Sequence, residues 1–221
     1  MPSVQILRSR RKTLAIEVHL DGRVLVRAPL RTSQRRIDAL IKDKQAWIDQ
    51  KLIQAQSIGR QNPVHLFSVG EQFPYLGAWY PLELVQRSLP TLELATSFRL
   101  SAAAVPSARQ VFTEWYRKQA AKVFSERYDF WVQHTGLAPT HLSLSSARTR
   151  WGSCGPSGSI NLTWRLVMAP LASIDYVIVH ELSHLVIKNH SRFFWSEVEK
   201  HMPDYRQARD WLKKNGHRLD I

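Results

Sequence analysis

The chain of 221 residues has one cysteine, Cys154, which excludes an internal disulfide and any cysteine-rich zinc cluster. A reducing compartment is the simplest setting for such a chain, and Cys154 itself reads as a small buried hydrophobe. No stretch approaches the roughly 18 consecutive apolar residues of a membrane span. The basic segment from Met1 to Arg11 lacks both the apolar run of a secretory signal and a cleavage site. The expectation is a soluble, cytoplasmic protein with no membrane association. Internal repeats, low-complexity tracts and P-loop strings are also missing. Acidic residues are scarce: 18 Asp and Glu stand against 31 Lys and Arg, a net charge of +13.

That excess is uneven. Residues 1–60 hold 13 Lys and Arg against 5 Asp and Glu, whereas residues 61–136 hold 7 against 6. A basic face of this kind attracts polyanions, nucleic acid among them, or simply keeps the surface solvated. With 44% hydrophobic residues, 8 Trp and 8 Phe, the chain can bury a core without covalent staples.

Leu14, Ile16, Val18 and Leu20 alternate with less apolar neighbours. Asp21-Gly22 follows, and Val24 and Val26 resume the alternation, which predicts a β-hairpin with a type I′ turn. Ser33 can cap one helix carrying Ile37, Leu40, Ile41, Trp47, Ile48 and Leu52 on a single face and ending before Gly59. Short apolar runs broken by Gly and Pro predict a small sheet over 65–100. A long helix follows Ser107, with Phe112, Tyr116, Ala120, Val123, Phe124 and Trp131 on its buried stripe, and Gly136 ends it. Leu142 and Leu144 open a second hairpin, turning at Gly155-Pro156-Ser157-Gly158 and returning through Ile160 to Leu166. Pro170 and Ser173 start a helix over about 171–187, and two more helices fit 191–201 and 204–215. The class is α+β: a basic N-terminal α+β region over 1–104, then a helical core with a β-hairpin over 105–221.

The chemistry concentrates in His180-Glu181-Leu182-Ser183-His184. Residues four apart on an α-helix differ by about 40° around the axis and about 6 Å along it, so two imidazoles reach one ion from a single face. Zinc suits imidazole ligands with an open position for water, whose pKa it lowers to about 7, and nickel or another divalent transition metal also accepts such donors. Glu181 stands beside them as the general base. The apolar run Ile174–Val179 and the absence of Pro and Gly through His184 place the motif on a core helix.

For a third ligand the preferred residue is His190, whose spacing from His184 matches the metzincin pattern H-E-x-x-H-x-x-G-x-x-H. A continuous helix would carry it about 120° around and about 9 Å along, so the helix must stop first. Ile187 stands where that pattern has Gly, and no Met-turn follows. Asn189, which tolerates the left-handed conformation, offers the exit, and Lys188 suits the helix C-terminus. Glu197 and His201 on the next helix are the competing ligands.

Arg150-Trp151-Gly152-Ser153-Cys154, Ile174-Asp175-Tyr176-Val177, His180 to Leu185, Asn189-His190-Ser191 and Phe194-Trp195 together resemble the YgjP-like metal-dependent hydrolases, relatives of the SprT-like and Wss1-like metalloproteases. The resemblance is tight over about 148–212 and looser before it. It implies a zincin-like fold, a zinc ion held by His180, His184 and His190, and Glu181 as catalytic base. It leaves the substrate open.

Around this centre, Tyr176 lies one turn before His180 and can steady an oxyanion or make an ordinary buried hydrogen bond. Asp175 can orient a ligand or favour the helix start. Arg148 and Arg150, expected on the strand before Trp151, can meet an anionic group of a substrate paired with a sheet edge. Trp151, Trp164 and Trp195 read as core. Three functions fit: a metallopeptidase acting on polypeptide, a metal-dependent phosphoanhydride hydrolase acting on nucleotides, and a nucleic-acid-binding module with a structural metal. Glu181 argues against the third, since a structural site needs no base.

Overall fold

The computed structural model describes residues 4–19, 22–61, 65–86 and 90–221, the side chains of 54–61 excepted. The chain divides into two compact units, Met1–Pro63 and Val64–Ile221. The residue 104 boundary read from the sequence lies inside the second. Both units mix helix and strand, and the described residues form six α-helices and three small sheets. None of these helices is long and apolar enough to cross a membrane.

In the first unit β1 (Val4–Ser9), β2 (Ala15–Val18) and β3 (Val24–Pro29) form a sheet of order β1-β3-β2. The expected hairpin is β2–β3, antiparallel with Val18 opposite Val24. His19 N–H donates to the Arg23 carbonyl, and the expected type I′ turn at Asp21-Gly22 falls partly outside the described residues. Gly22 takes the left-handed position such a turn needs, at φ +82°; Leu20 and Asp21 lie outside the described residues. The sequence reading did not anticipate β1, which pairs parallel to β3. The single helix expected after Ser33 is two, α1 (Gln34–Asp43) and α2 (Gln45–Gln61), interrupted at Lys44. Val26, Ala28 and Ile37 form the small core, with Leu14, Ile16 and Ile41 against it.

The second unit opens with a four-stranded sheet of order β4-β5-β7-β6, from β4 (Gln72–Tyr75), β5 (Ala78–Val85), β6 (Leu92–Leu94) and β7 (Phe98–Ser101). Phe73 and Phe98, both fully buried, pack their rings at a tilt against Phe112 of α3 (Ala108–Thr135). Tyr116, also on α3, donates its hydroxyl to the Pro74 carbonyl, so the sheet is fixed to the long helix by packing and by a satisfied polar group. The α3 stripe read from the sequence is buried at Phe112, Tyr116, Ala120, Phe124 and Trp131, and Gly136 ends it at φ +69°.

After α3 the expected hairpin over 142–166 is replaced by three strands and a 3₁₀ turn. β8 (Leu142–Ser145) runs parallel to β10 (Ile160–Thr163), and β9 (Gly152–Cys154) pairs antiparallel to β10, giving the order β8-β10-β9. The hairpin is therefore β9–β10, while residues 146–151 form a loop, and Trp164–Met168 is a fully buried 3₁₀ turn rather than strand. Alternation could not reveal this: burial on every side removes the period-2 signal. The β4–β5 turn docks on this segment, Leu76 and Gly77 N–H donating to the Val167 and Met168 carbonyls at 3.0 and 3.1 Å. Those bonds lead straight into Pro170 and the start of α4 (Leu171–Ser183), the core helix.

Candidate metal centre

Helix α4 is apolar nearly all round, with Ile174, Ile178, Val179 and Leu182 at most 1% exposed. It lies among α3, α6 (Tyr205–Asn215), α5 (Arg192–His201) and β9, as a helix without a solvent face must. Asp175 does not orient a histidine. Its two carboxylate oxygens accept from Arg127 Nε and Nη2 at 2.7 and 2.8 Å, joining α4 to α3.

His180 and His184 point the same way from the end of this helix, their rings 5.0 Å apart and nearly perpendicular. The helix ends four residues earlier than the sequence suggests, with His184 at its C-cap. Leu185, Val186 and Ile187 N–H bond back to Leu182 and Ser183 in a tightened final turn. Asn189 does not use a left-handed backbone, since the positive-φ non-glycine residues among those described are Phe67 and Leu76. Its Oδ1 instead accepts from Ser191 N–H at 3.2 Å and shapes the entry to α5. Side-chain capping across the turn replaces the left-handed exit.

This turn returns His190 to the first two histidines. Its ring lies 5.0 Å from His180 and 4.8 Å from His184, and its Nε2 is 3.0 Å from His180 Nε2. One ligand atom from each of the three lies within 4.8 Å of the others. The competing ligands are elsewhere engaged, His201 Nε2 lying 3.0 Å from Glu197 Oε1.

Three observations show that this donor set fits a divalent transition ion. Burial, reinforced by His184 and His190, lowers the His180 pKa to about 3, so its imidazole is neutral and offers a lone pair. His184 Nδ1 lies 3.0 Å from the Ile187 carbonyl; a carbonyl only accepts, so Nδ1 carries the proton and Nε2 is left as the donor atom. Two imidazole nitrogens at 3.0 Å need a cation or proton between them, and the spread of separations brackets the roughly 3.4 Å expected between nitrogens on a tetrahedral zinc ion. Phe194, fully buried on α5, touches all three rings with centroids 4.4–4.8 Å away, stacked with His184 and edge-on to His180 and His190. Trp195 stacks on His190 and on Tyr205. This aromatic seat was visible in the sequence only as part of a family resemblance.

Glu181 sits on the flank, in a cleft of about 220 Å³ lined by Arg150, Trp151, Gly152, Tyr176, Val177 and His180. Its side chain rests on Gly152, where an added Cβ would meet Cγ and Oε1 at 2.7 Å. Burial raises its carboxyl pKa to about 7, against the opposing pull of a hydrogen bond from the Cys154 backbone and of the Arg150 guanidinium. That value suits a group that takes and returns a proton near neutrality. Tyr176 lines the same cleft, its ring against His180 and Tyr205, and burial pushes its hydroxyl up to about 12, so it stays a donor. Arg150 and Arg148 belong to the 146–151 loop rather than to a strand. Arg150 lines the cleft, whereas Arg148 is tied to Asp220 Oδ2 at 2.9 Å. Trp151 packs over Gly216, where a Cβ would meet its ring at 2.6 Å.

Comparison with known proteins places these residues inside one match: a family model described as YgjP-like, metallopeptidase domain, covers residues 12–215. A search of the curated proteins finds no match. Among solved structures, the crystal structure of the metallopeptidase zymogen of Pyrococcus abyssi abylysin is similar at 20% identity and a TM-score of 0.40, over 44% of this chain and 99% of that one.

Proposed function

Since the chain belongs to the YgjP-like metallopeptidase family and is thereby a metal-dependent hydrolase, we propose that it is a zinc peptidase with His180, His184 and His190 as ligands and Glu181 as general base. The observation that carries this reading is the convergence of three imidazoles within 4.8 Å beside a buried carboxyl that lines one cleft with His180. When bound, the ion supplies Lewis acidity toward a carbonyl oxygen and lowers the pKa of a coordinated water.

The remaining work falls to the chain itself. Glu181, held on Gly152 by the Cys154 N–H, takes a proton from the attacking water and returns it to the departing amine. Tyr176 offers a hydroxyl donor at the cleft for the developing oxyanion. An extended polypeptide adds to β9, the edge strand of its sheet, which brings a scissile bond alongside Glu181. The α4–α6 helices with β8–β10 are read as a zincin-like core. The cluster holds three donors and no fourth among the described residues, which favours a catalytic over a structural ion.

The test uses protein loaded with zinc. The wild type should release fragments from an unfolded protein and no phosphate from nucleoside triphosphates. Glu181→Gln should keep one ion per chain and lose the cleavage. Phosphate release without fragments would overturn the reading in favour of phosphoanhydride hydrolysis. Anomalous scattering at the absorption edge of the native ion distinguishes zinc from nickel.

The first unit supports a second, separate reading. Arg8, Arg10, Arg35, Arg36 and Lys44 are exposed there, a density of cations suited to a nucleic-acid partner held through its phosphates.

A further inference from the structure

The arginines of the second unit are, with one exception among those described, engaged by the protein itself. Arg127 is paired with Asp175, Arg165 and Arg148 with Asp220, and Arg206 with Glu199. Arg99 and Arg209 have carboxylates of their own, Arg109 and Arg117 have oxygen acceptors, and Arg192 and Arg218 lie over aromatic rings. Arg150 acts on Glu181 through space but has no hydrogen bond, close ion pair or ring partner among the described residues, and it is the arginine that lines the cleft with Tyr176, His180 and Glu181.

We infer that Arg150 is a specificity residue, which binds a carboxylate of the polypeptide substrate close to the bond that is cut. The inference rests on the peptidase reading above and adds a substrate class to it. A guanidinium presents a planar fork matched to a carboxylate, and one not already satisfied by the protein gains most from a ligand. Position makes the same choice. Arg150 stands two residues before the first residue of β9, so an extended chain added to that edge passes its guanidinium. Glu181 is the single acidic residue among those lining the cleft, and the opposite charges of Arg209 and Asp210 both act on Tyr176 there. Arg150 is the one cationic side chain among the residues lining it. It attracts acidic chains and repels lysine-rich ones. The carboxylate has two sources, an Asp or Glu side chain or a free C-terminus.

The experiment uses the zinc-loaded protein and peptides with acetylated N-termini. One series is amidated and carries Glu, Gln or Lys at each position flanking the cut; the other compares a free C-terminal acid with its amide. The wild type is expected to show a KM about tenfold lower for a carboxylate peptide than for its Gln or amide counterpart. Arg150→Gln should erase that ratio, which compares two peptides on one enzyme and so is independent of any change in kcat from the lost pull on Glu181, and Arg150→Lys should restore part of it. Preference for internal Glu identifies the side chain as the source, and preference for the free acid identifies the terminus.

Equal KM values in the wild type, or an undiminished ratio in a folded Arg150→Gln, would overturn the inference while leaving the peptidase reading intact. Fluorescence anisotropy of the same peptides on zinc-loaded Glu181→Gln gives a readout independent of turnover. There too the acidic peptides should bind about tenfold tighter and lose the advantage in the Arg150→Gln double variant. If no peptide is cut, the peptidase reading falls, and equal binding of acidic and neutral peptides then removes the carboxylate site as well.

Discussion

The carboxyl of Glu181 lies directly over the Cα of Gly152, so close that a methyl group there would sit 2.7 Å from its Oε1. The contact joins helix α4 to edge strand β9 at the point where the proposed base meets the cleft. It gives a physical reason for a glycine within the run from Arg150 to Cys154: any side chain at 152 occupies the volume the carboxyl needs.

Gly152→Ala should therefore move Glu181 without touching a histidine. A displacement of about 1 Å at a catalytic group costs on the order of 10²-fold in rate. Assays of kcat/KM alongside zinc stoichiometry should show lost turnover with the metal retained; full activity in the variant would mean that the Glu181 position is not critical.

The raised pKa of Glu181 predicts a pH-dependent gain in stability when it is replaced. In the metal-free protein the folded carboxyl titrates near 7 against an ordinary 4.5. Its neutral form is the one the fold prefers. That contribution is complete below about pH 4.5, declines as pH rises through 7, and is lost above it. Thermal melts of metal-free Glu181→Gln against wild type should match at pH 4.5 and favour the variant at pH 8 by about 2–3 kcal/mol. The histidines are common to both proteins and drop out of the difference.

Phe194 is predicted to act on metal affinity as well as on stability. Phe194→Ala removes the ring that all three imidazoles touch and should cost about 3–5 kcal/mol of folding free energy as a buried large-to-small change. Phe194→Leu keeps most of the volume, so its stability should fall far less. Competition with a chromophoric chelator should nevertheless show zinc bound at least about tenfold more weakly. Chelator treatment of the wild type should lower its melting temperature, because an ion bound only by the folded state stabilises it by mass action.

Asp175→Ala should separate folding from chemistry. It leaves the Arg127 guanidinium without its bidentate partner in a setting where Asp175 is 11% and Arg127 25% exposed. A loss of about 2–3 kcal/mol follows, below the range for fully buried pairs because water reaches the arginine. Zinc stoichiometry at temperatures below the melt should be unchanged.

The basic first unit makes a prediction about salt. If nucleic acid is its partner, affinity for duplex DNA should fall steeply and log-linearly between 50 and 200 mM salt, values chosen for the titration. Reversing Arg35 and Arg36 to Glu should flatten that slope. No binding at low salt removes nucleic acid as a partner.

What could be read from the sequence was whatever short-range geometry dictates. The four-residue spacing of His180 and His184 puts two imidazoles on one face of any helix, and the apolar run before them makes that helix a core element. The α3 stripe and the two helices after His190 follow equally from local periodicity. Tertiary structure decided the rest. His190 reaches the other ligands because the chain tightens after Ser183 and Asn189 caps the return, a path chosen by hydrogen bonds rather than by residue preference. Glu181 acquires its raised pKa from burial against Gly152, against the opposing hydrogen bond of the Cys154 N–H, residues 29 and 27 positions earlier in the chain. Arg148 and Arg150, equivalent in sequence, part company because Asp220 claims one of them. Periodicity reports which face of an element is buried; only packing between distant segments determines what that face meets.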